Sequence, residues 1–274
     1  MAKKTKSSKS SRQKRRSFTY ASPIDKYLDL IGQQILHGNF AEAVTNCERL
    51  LNYLPKNAPQ RVDALIQLGV AHGMLQNFPQ SYDAYTEALA LDPNNVEIWY
   101  NRSTASRFTM RFGQALRDIE RAIELNTRSE LTAKLEKDLK FNRMMAEKSI
   151  KLRGPNFTVD QLIEQENHFQ QGLKLMEGGA WKEAAQAFQA SIALGDCLPQ
   201  PWGNLGICLM MQERYDEAEA ALKRALVIDP KYTIAKNNLA TLPETRRKGP
   251  PEMVVMNEPF KNSKLKQTIT FIEE

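Results

Sequence analysis

The sequence predicts an all-α fold, an array of antiparallel helix pairs stacked one on the next, and three observations carry that prediction. From Ile24 onward apolar residues recur every three or four positions, the period of a helix with one buried face, and the runs break at Gly, Asn or Asp-Pro. No alternating run of β-branched residues appears before the C-terminal tail. A fixed set of residue types also recurs along the chain at a spacing that accommodates one helix–turn–helix unit.

The recurring frame is clearest from Trp202 to Pro230, where Trp202, Leu205, Gly206 and Leu209 are followed by Ala218, Leu222, Ala225 and Pro230. The same frame lies 34 residues earlier as His168, Gln171, Gly172 and Leu175, then Ala184, Phe188 and Ser191. A second series reads Leu65, Leu68, Gly69, His72, Ser81, Tyr85, Ala88 and Pro93, and 34 residues on come Trp99, Arg102, Ser103, Ser106, Ala115, Ile119 and Ala122. The first unit, Tyr27, Leu30, Ile31, Gln34, Ala43, Cys47, Leu50 and Pro55, is set off by an insertion around Ala58 to Arg61. Each position has a physical reason. Two helices approach closely only where a small residue sits at the crossing, supplied by Gly69, Ser103, Gly172 and Gly206, with Ala43, Ala115, Ala184 and Ala218 small on the second helices. Phe40, Phe78, Phe112, Trp181 and Tyr215 fill the space under each turn, and Asp92-Pro93 and Asp229-Pro230 end second helices.

This pattern resembles the tetratricopeptide repeat, whose frame is W-x2-L-G-x2-Y, then A-x3-F, then P. The resemblance implies a right-handed superhelical solenoid. In chain order, residues 1–20 are a disordered basic tail with little to bury. Residues 21–127 form a first block of three repeats. Residues 128–157 form a connector, with one long helix from Arg128 to Arg153 that ends at Gly154-Pro155-Asn156. Thr158 to Gln161 reads as a capping box opening a second block of two repeats and a capping helix, residues 158–242. Residues 243–274, punctuated by Pro243, Pro250, Pro251 and Pro259, with apolar runs at Met253–Met256 and Ile269–Ile272, read either as an extended tail lying against the array or as disorder.

Catalytic motifs are missing: no P-loop, dinucleotide-binding glycine motif, HExxH or GxSxG occurs. His72 and His168 fall on packing positions of the frame, and His37 sits in a turn. The carboxylates lie mostly in mixed-charge helical runs, where pairing one turn apart accounts for them. Cys47, Cys197 and Cys208 form no CxxC pair and read as small hydrophobes in a reducing compartment. No enzymatic activity, metal or cofactor is therefore expected. The chain lacks a run of roughly 20 apolar residues to span a bilayer and has no secretion signal, so no membrane contact and a cytoplasmic location are expected, nuclear if the source is eukaryotic.

In the resembled family the first helix of each pair lines a concave groove that holds a peptide or helix. Transferred residue by residue, that face is Leu28, Gly32 and Ile35, then Ile66, Val70 and Met74, then Tyr100, Thr104, Arg107 and Phe108 in the first block. In the second block it is Phe169, Leu173 and Met176, then Gly203, Ile207, Met210 and Met211. The face is mostly apolar and methionine-bearing, suited to varied shapes. Chaperone-binding relatives clamp a terminal carboxylate there with Lys, Asn and Arg. The corresponding residues here, such as Leu28, Gly32, Ile66, Val70, Tyr100 and Thr104, carry no cation, so no carboxylate clamp is expected. These side chains also have the alternative of packing on the connecting helix or the C-terminal tail.

The formal charge of +6 is a property of one end. Lys3, Lys4, Lys6, Lys9, Arg12, Lys14, Arg15 and Arg16 precede Ser17 without an acid among them, and taking those eight from 38 basic residues leaves 30 against 32 acidic ones. The sequence thus predicts a non-enzymatic protein–protein adaptor or scaffold. The alternative is a nucleic-acid- or ribosome-associated protein anchored through phosphate contacts of these tail cations.

Overall fold

The computed structural model describes residues 22–250, which form twelve helices and no strand. The first block pairs α1 (Pro23–Leu36) with α2 (Phe40–Tyr53), α3 (Gln60–Met74) with α4 (Phe78–Leu91) and α5 (Val96–Phe108) with α6 (Phe112–Leu125). A long helix α7 (Ser129–Arg153) follows. The second block pairs α8 (Val159–Glu177) with α9 (Trp181–Leu194) and α10 (Pro199–Met211) with α11 (Tyr215–Ile228), closed by α12 (Thr233–Lys248).

Local chemistry sets these boundaries. Ser22 caps α1 through a reciprocal box with Asp25, and Thr158 caps α8 in the same way with Gln161. All five turns inside pairs share one geometry: the residue two before the second helix takes a positive φ, at Gly38, Gln76, Met110, Gly179 and Glu213. The next amide reaches back to the carbonyl five residues earlier, as in Asn77 to His72 and Arg111 to Ser106, which satisfies carbonyls left open at the helix end. Glycine meets the left-handed conformation freely at Gly38 and Gly179, whereas the other three turns hold it against the preference of their side chains.

The helix crossings are as tight as the frame demands. A Cβ placed on Gly69, Gly172 or Gly206 would stand 2.6 Å from Tyr85, Phe188 or Leu222 respectively. Where the third repeat has Ser103 instead, its hydroxyl donates to the Ala115 carbonyl at 2.8 Å, so the small side chain is hydrogen-bonded rather than idle. The third repeat is also unusual at Arg102, where the second and fifth repeats carry Leu68 and Leu205. Its guanidinium makes a bidentate pair with fully buried Asp118, Nε to Oδ2 at 2.9 Å and Nη2 to Oδ1 at 2.7 Å, and lies over the Trp99 ring. Burial works against the Arg102 charge, but the Asp118 hydrogen bond and charge outweigh it and hold the proton more tightly.

Helices α7 and α8 shape the join between blocks. Helix α7 packs on α6 where the first helix of a further pair would stand, and Asn142 donates to both Ser103 Oγ (2.8 Å) and the Ala115 carbonyl (2.9 Å). Helix α8 also packs on α6 and runs antiparallel to it, with Arg117–Asp160, Gly113–Glu166 and Thr109–Gln170 contacts in succession. The N-cap of α6, Arg111, makes no side-chain cap; the Glu166 carboxylate supplies it from α8, accepting from the Gly113 amide at 3.1 and 3.2 Å. Burial raises the Glu166 carboxyl to about 7, with the α6 amides and Arg153 pulling it back only in part.

At the far end α12 runs to Lys248, six residues beyond the expected end at Leu242, straight through Pro243. Proline removes one backbone donor and crowds the preceding turn. The last turn holds nonetheless: Leu242 and Thr245 are buried against the second block, and Arg246 pairs with Asp216 at 2.6 Å over the Tyr215 ring while Lys248 pairs with Glu244. The extended tail expected at 243–274 is thus helical as far as Lys248; its residues after Pro250, and the tail expected at 1–20, lie outside the described residues.

Candidate functional site: the face of the first helices

The inner-face residues fall into three groups according to what covers them. In the third repeat the face is occupied by the chain itself. Tyr100 and Thr104 are buried beneath α7, and the Tyr100 hydroxyl donates to Asp138 Oδ2 at 2.8 Å. The Arg107 guanidinium approaches the same carboxylate at 3.7 Å and lies over the Phe141 ring, and Lys134 sits above the Tyr100 ring. Burial, then the Asp138 charge, push the Tyr100 hydroxyl above its usual range, so it stays a donor. Leu131 and Leu135 of α7 complete the contact in a cluster with Tyr100, Leu116 and Ile119. Phe108, one turn on, points to the repeat boundary and stacks on Phe78 with ring centres 4.2 Å apart.

The second group packs between repeats. Ile66 and Val70 lie against the cluster of Tyr82, Tyr85, Ile98 and Ala105, while Leu28 is buried with Ile31 and Cys47, and Ile35 packs beside them. Phe169 meets the edge of the Phe188 ring, and Leu173, Met176 and Met210 join the same core as Cys208 and Leu209. Met210 is only 5% exposed, so this methionine holds the pair together rather than facing outward. Gly203 has Tyr232 against it, where a Cβ would stand 2.6 Å from the ring. The third group keeps surface free: Met74 is 39% exposed, Ile207 and Met211 are half-buried, and Gly32 has open room with Gln67 at 3.7 Å.

Acid–base and metal chemistry find little here. Among the described residues no three His, Cys, Asp or Glu side chains gather as a metal site. Burial lowers the proton affinity of His72, with the Glu48 charge opposing, and His37 bonds the Gln33 carbonyl of its own helix. Burial drives the Cys47 and Cys208 thiols up to about 12, which leaves them unreactive. Among the described residues no helix is long and apolar enough to cross a membrane.

Two features of this site were not legible from the repeat frame. Asp138 and Asn142 of α7, which fix that helix over the third repeat, belong to no recurring position. Glu166 acts 53 residues away in sequence from Gly113, and a lone glutamate at a helix start gives no signal of its distant partner.

Models of the tetratricopeptide repeat match residues 62–95 and 199–232, one stretch in each block. The chain is 37% identical over 82 residues to the peroxisomal targeting signal receptor of Yarrowia lipolytica, a match spanning 30% of this chain and 14% of that protein. Among solved structures it is similar to MamA, at 18% identity with 77% of this chain and 93% of the other covered and a TM-score of 0.36. It is also similar to YrrB, described as a tetratricopeptide-repeat protein with an unusual peptide-binding site, at 18% identity, 81% and 100% coverage and a TM-score of 0.36. With the repeat models matched in both blocks and the recurring frame realised as helix pairs, the chain is a tetratricopeptide-repeat protein.

Proposed function

We propose that the chain is a non-enzymatic adaptor that holds an apolar peptide or helix against the inner face of its first helices. The observation that carries this reading is the apolar surface that Met74, Ile207 and Met211 keep free on the first helices. Helix α7 continues the stack on α6, and its contacts with Tyr100, Arg107 and Ser103 close the third repeat's share of that face. A partner would use the parts that α7 leaves open, Met74 in the first block and Ile207 with Met211 in the second. Apolar burial there contributes roughly 25 cal/mol per Å² before ordering losses. A chaperone carboxylate is not the occupant, since Leu28, Gly32, Ile66 and Val70 bring no cation to the face and Tyr100 and Thr104 are buried under α7.

The experiment is affinity capture with quantitative mass spectrometry on wild type and I207D/M211D. Met210, though adjacent, is unsuited because its burial would turn an Asp into a folding defect. Loss of partners with helicity retained supports the reading, and an unchanged partner set sinks it. The charge asymmetry of the sequence supports a second reading, phosphate binding through Lys3 to Arg16. Filter retention of RNA by full-length protein and by protein lacking residues 1–17 tests it: equal retention with equal salt dependence excludes it.

A further inference from the structure

On the side away from α1, helices α2 and α4 flank a cleft of about 420 Å³ whose floor is α3. Its walls carry Glu48 on α2 and Asp83 and Glu87 on α4, all exposed, above Leu65 and Leu68 of the floor and Leu51 of the α2 wall. Asp83 and Glu87 stand one turn apart, where like charges repel. Neither Glu48 nor Glu87 has an ion-pair partner among the described residues, and Asp83 meets only the exposed Lys174, at 3.0 Å. The one cation in the cleft, Arg61, spends its guanidinium on the Leu51 and Leu54 carbonyls. The uncompensated field of Glu48 is felt inside the protein, where it opposes ionisation of Cys47 and favours protonation of His72, secondary in each case to burial. The cleft is therefore anionic at its rim, apolar at its base and short of counter-charge.

The chain carries a complementary segment outside the described residues. Residues 1–21 lead into Ser22, and the start of α1 lies beside α2, with Tyr27 hydrogen-bonded to Asn46 at 3.0 Å. A path from Ser22 around α2 to the cleft has to clear about one helix diameter, ~10–12 Å, plus the approach along α2. At ~3.3 Å per extended residue, Arg16 and Lys14 lie ~20 to 26 Å up the chain from Ser22, the first cations with the reach, and Lys9 lies further still. Lys and Arg also match the cleft in form, since their alkyl stems lie along apolar surface while the charged ends stay at the rim.

We propose that the cleft between α2 and α4 is an intramolecular docking site for the basic segment Lys9–Arg16, held by Glu48, Asp83 and Glu87. The segment is then occupied while docked, and any phosphate-bearing partner competes with the three carboxylates for it. This docking lies on the second helices and is independent of partner binding on the first helices.

The test is zero-length carbodiimide cross-linking of the full-length protein, with the monomer isolated and its linkages mapped by mass spectrometry. The Lys174–Asp83 pair serves as an internal standard. The expected result is dominant linkage of Lys9 and Lys14 to Glu48, Asp83 or Glu87. Linkage of the segment to Asp83 should fall at least fivefold in 0.5 M NaCl and in the E48Q/E87Q variant, which retains Asp83. Both replaced side chains are exposed, so an unchanged helical spectrum and melting point are expected of the variant. The proposal is overturned if Lys9 and Lys14 link as strongly to outlying carboxylates such as Glu42 or Glu177, or if the Asp83 linkage is indifferent to salt or to E48Q/E87Q.

Discussion

The same substitution, Gly to Ala, should act with opposite sign at two helical positions of this array. Gly172 in α8 and Gly32 in α1 both lie inside helices, where alanine is intrinsically better by ~1 kcal/mol. At Gly32 the new Cβ meets only Gln67 Nε2, at an ordinary 3.7 Å, so the propensity gain survives and G32A stabilises by about 0.5–1 kcal/mol. At Gly172 it meets Phe188 Cε1 at 2.6 Å, Cζ at 2.7 Å and Cδ1 at 2.9 Å. The ring is fully buried and edge-packed by Phe169, so relief requires moving it by about 1 Å through filled space. Overpacking of that kind typically costs ~1–3 kcal/mol, which leaves G172A a net ~1–2 kcal/mol less stable. Repeats unfold as coupled units, so the comparison is of urea midpoints of the two variants against wild type under identical conditions. A G172A midpoint equal to or above wild type would refute the argument that close helix crossing dictates this glycine.

Two further predictions concern charges inside the fold. Asp118→Ala leaves the Arg102 guanidinium buried without its bidentate partner and should destabilise by about 3–5 kcal/mol, while R102L/D118A, which restores the residue types found at Leu68 with Ala84 and at Leu205 with Ala221, should recover most of that in calorimetry. Glu166 has a folded value of about 7 against an ordinary 4.5, so its stabilising contribution is complete below pH 4.5 and lost as pH rises through 7. At ~1.4 kcal/mol per tenfold change in proton affinity this amounts to about 3 kcal/mol. E166Q, which does not titrate, should flatten the stability profile between pH 5 and 8; parallel profiles for the two proteins would show that the carboxylate is not the source.

The sequence announces the repeats because their packing constraints recur. Gly69, Gly172 and Gly206 answer the same crossing, and Phe78, Phe112 and Trp181 the same turn, so periodicity exposes them even where one unit departs, as at Ser103. Asp-Pro ends α4 and α11 where the stop signal places them, whereas α12 runs on through Pro243 with Leu242 and Thr245 on either side of it buried. The inner face is legible only as a set of positions. Which of them remain open depends on contacts that occur once: Asp138 and Asn142 draw α7 over Tyr100 and Thr104, Tyr232 covers Gly203, and Met210 turns into the core. Periodic reading has no access to such single events, which are decided by long-range packing and individual hydrogen bonds.

The most direct test of the adaptor reading is partner capture by I207D/M211D beside wild type, with a variant on an exposed second-helix position, K223E, as control. Two carboxylates placed on an apolar binding face cannot be desolvated without loss. Captured partners should fall at least tenfold for I207D/M211D and not for K223E, while helicity and melting stay those of wild type. Equal capture by all three proteins would contradict the adaptor reading and place recognition somewhere other than the face of the first helices.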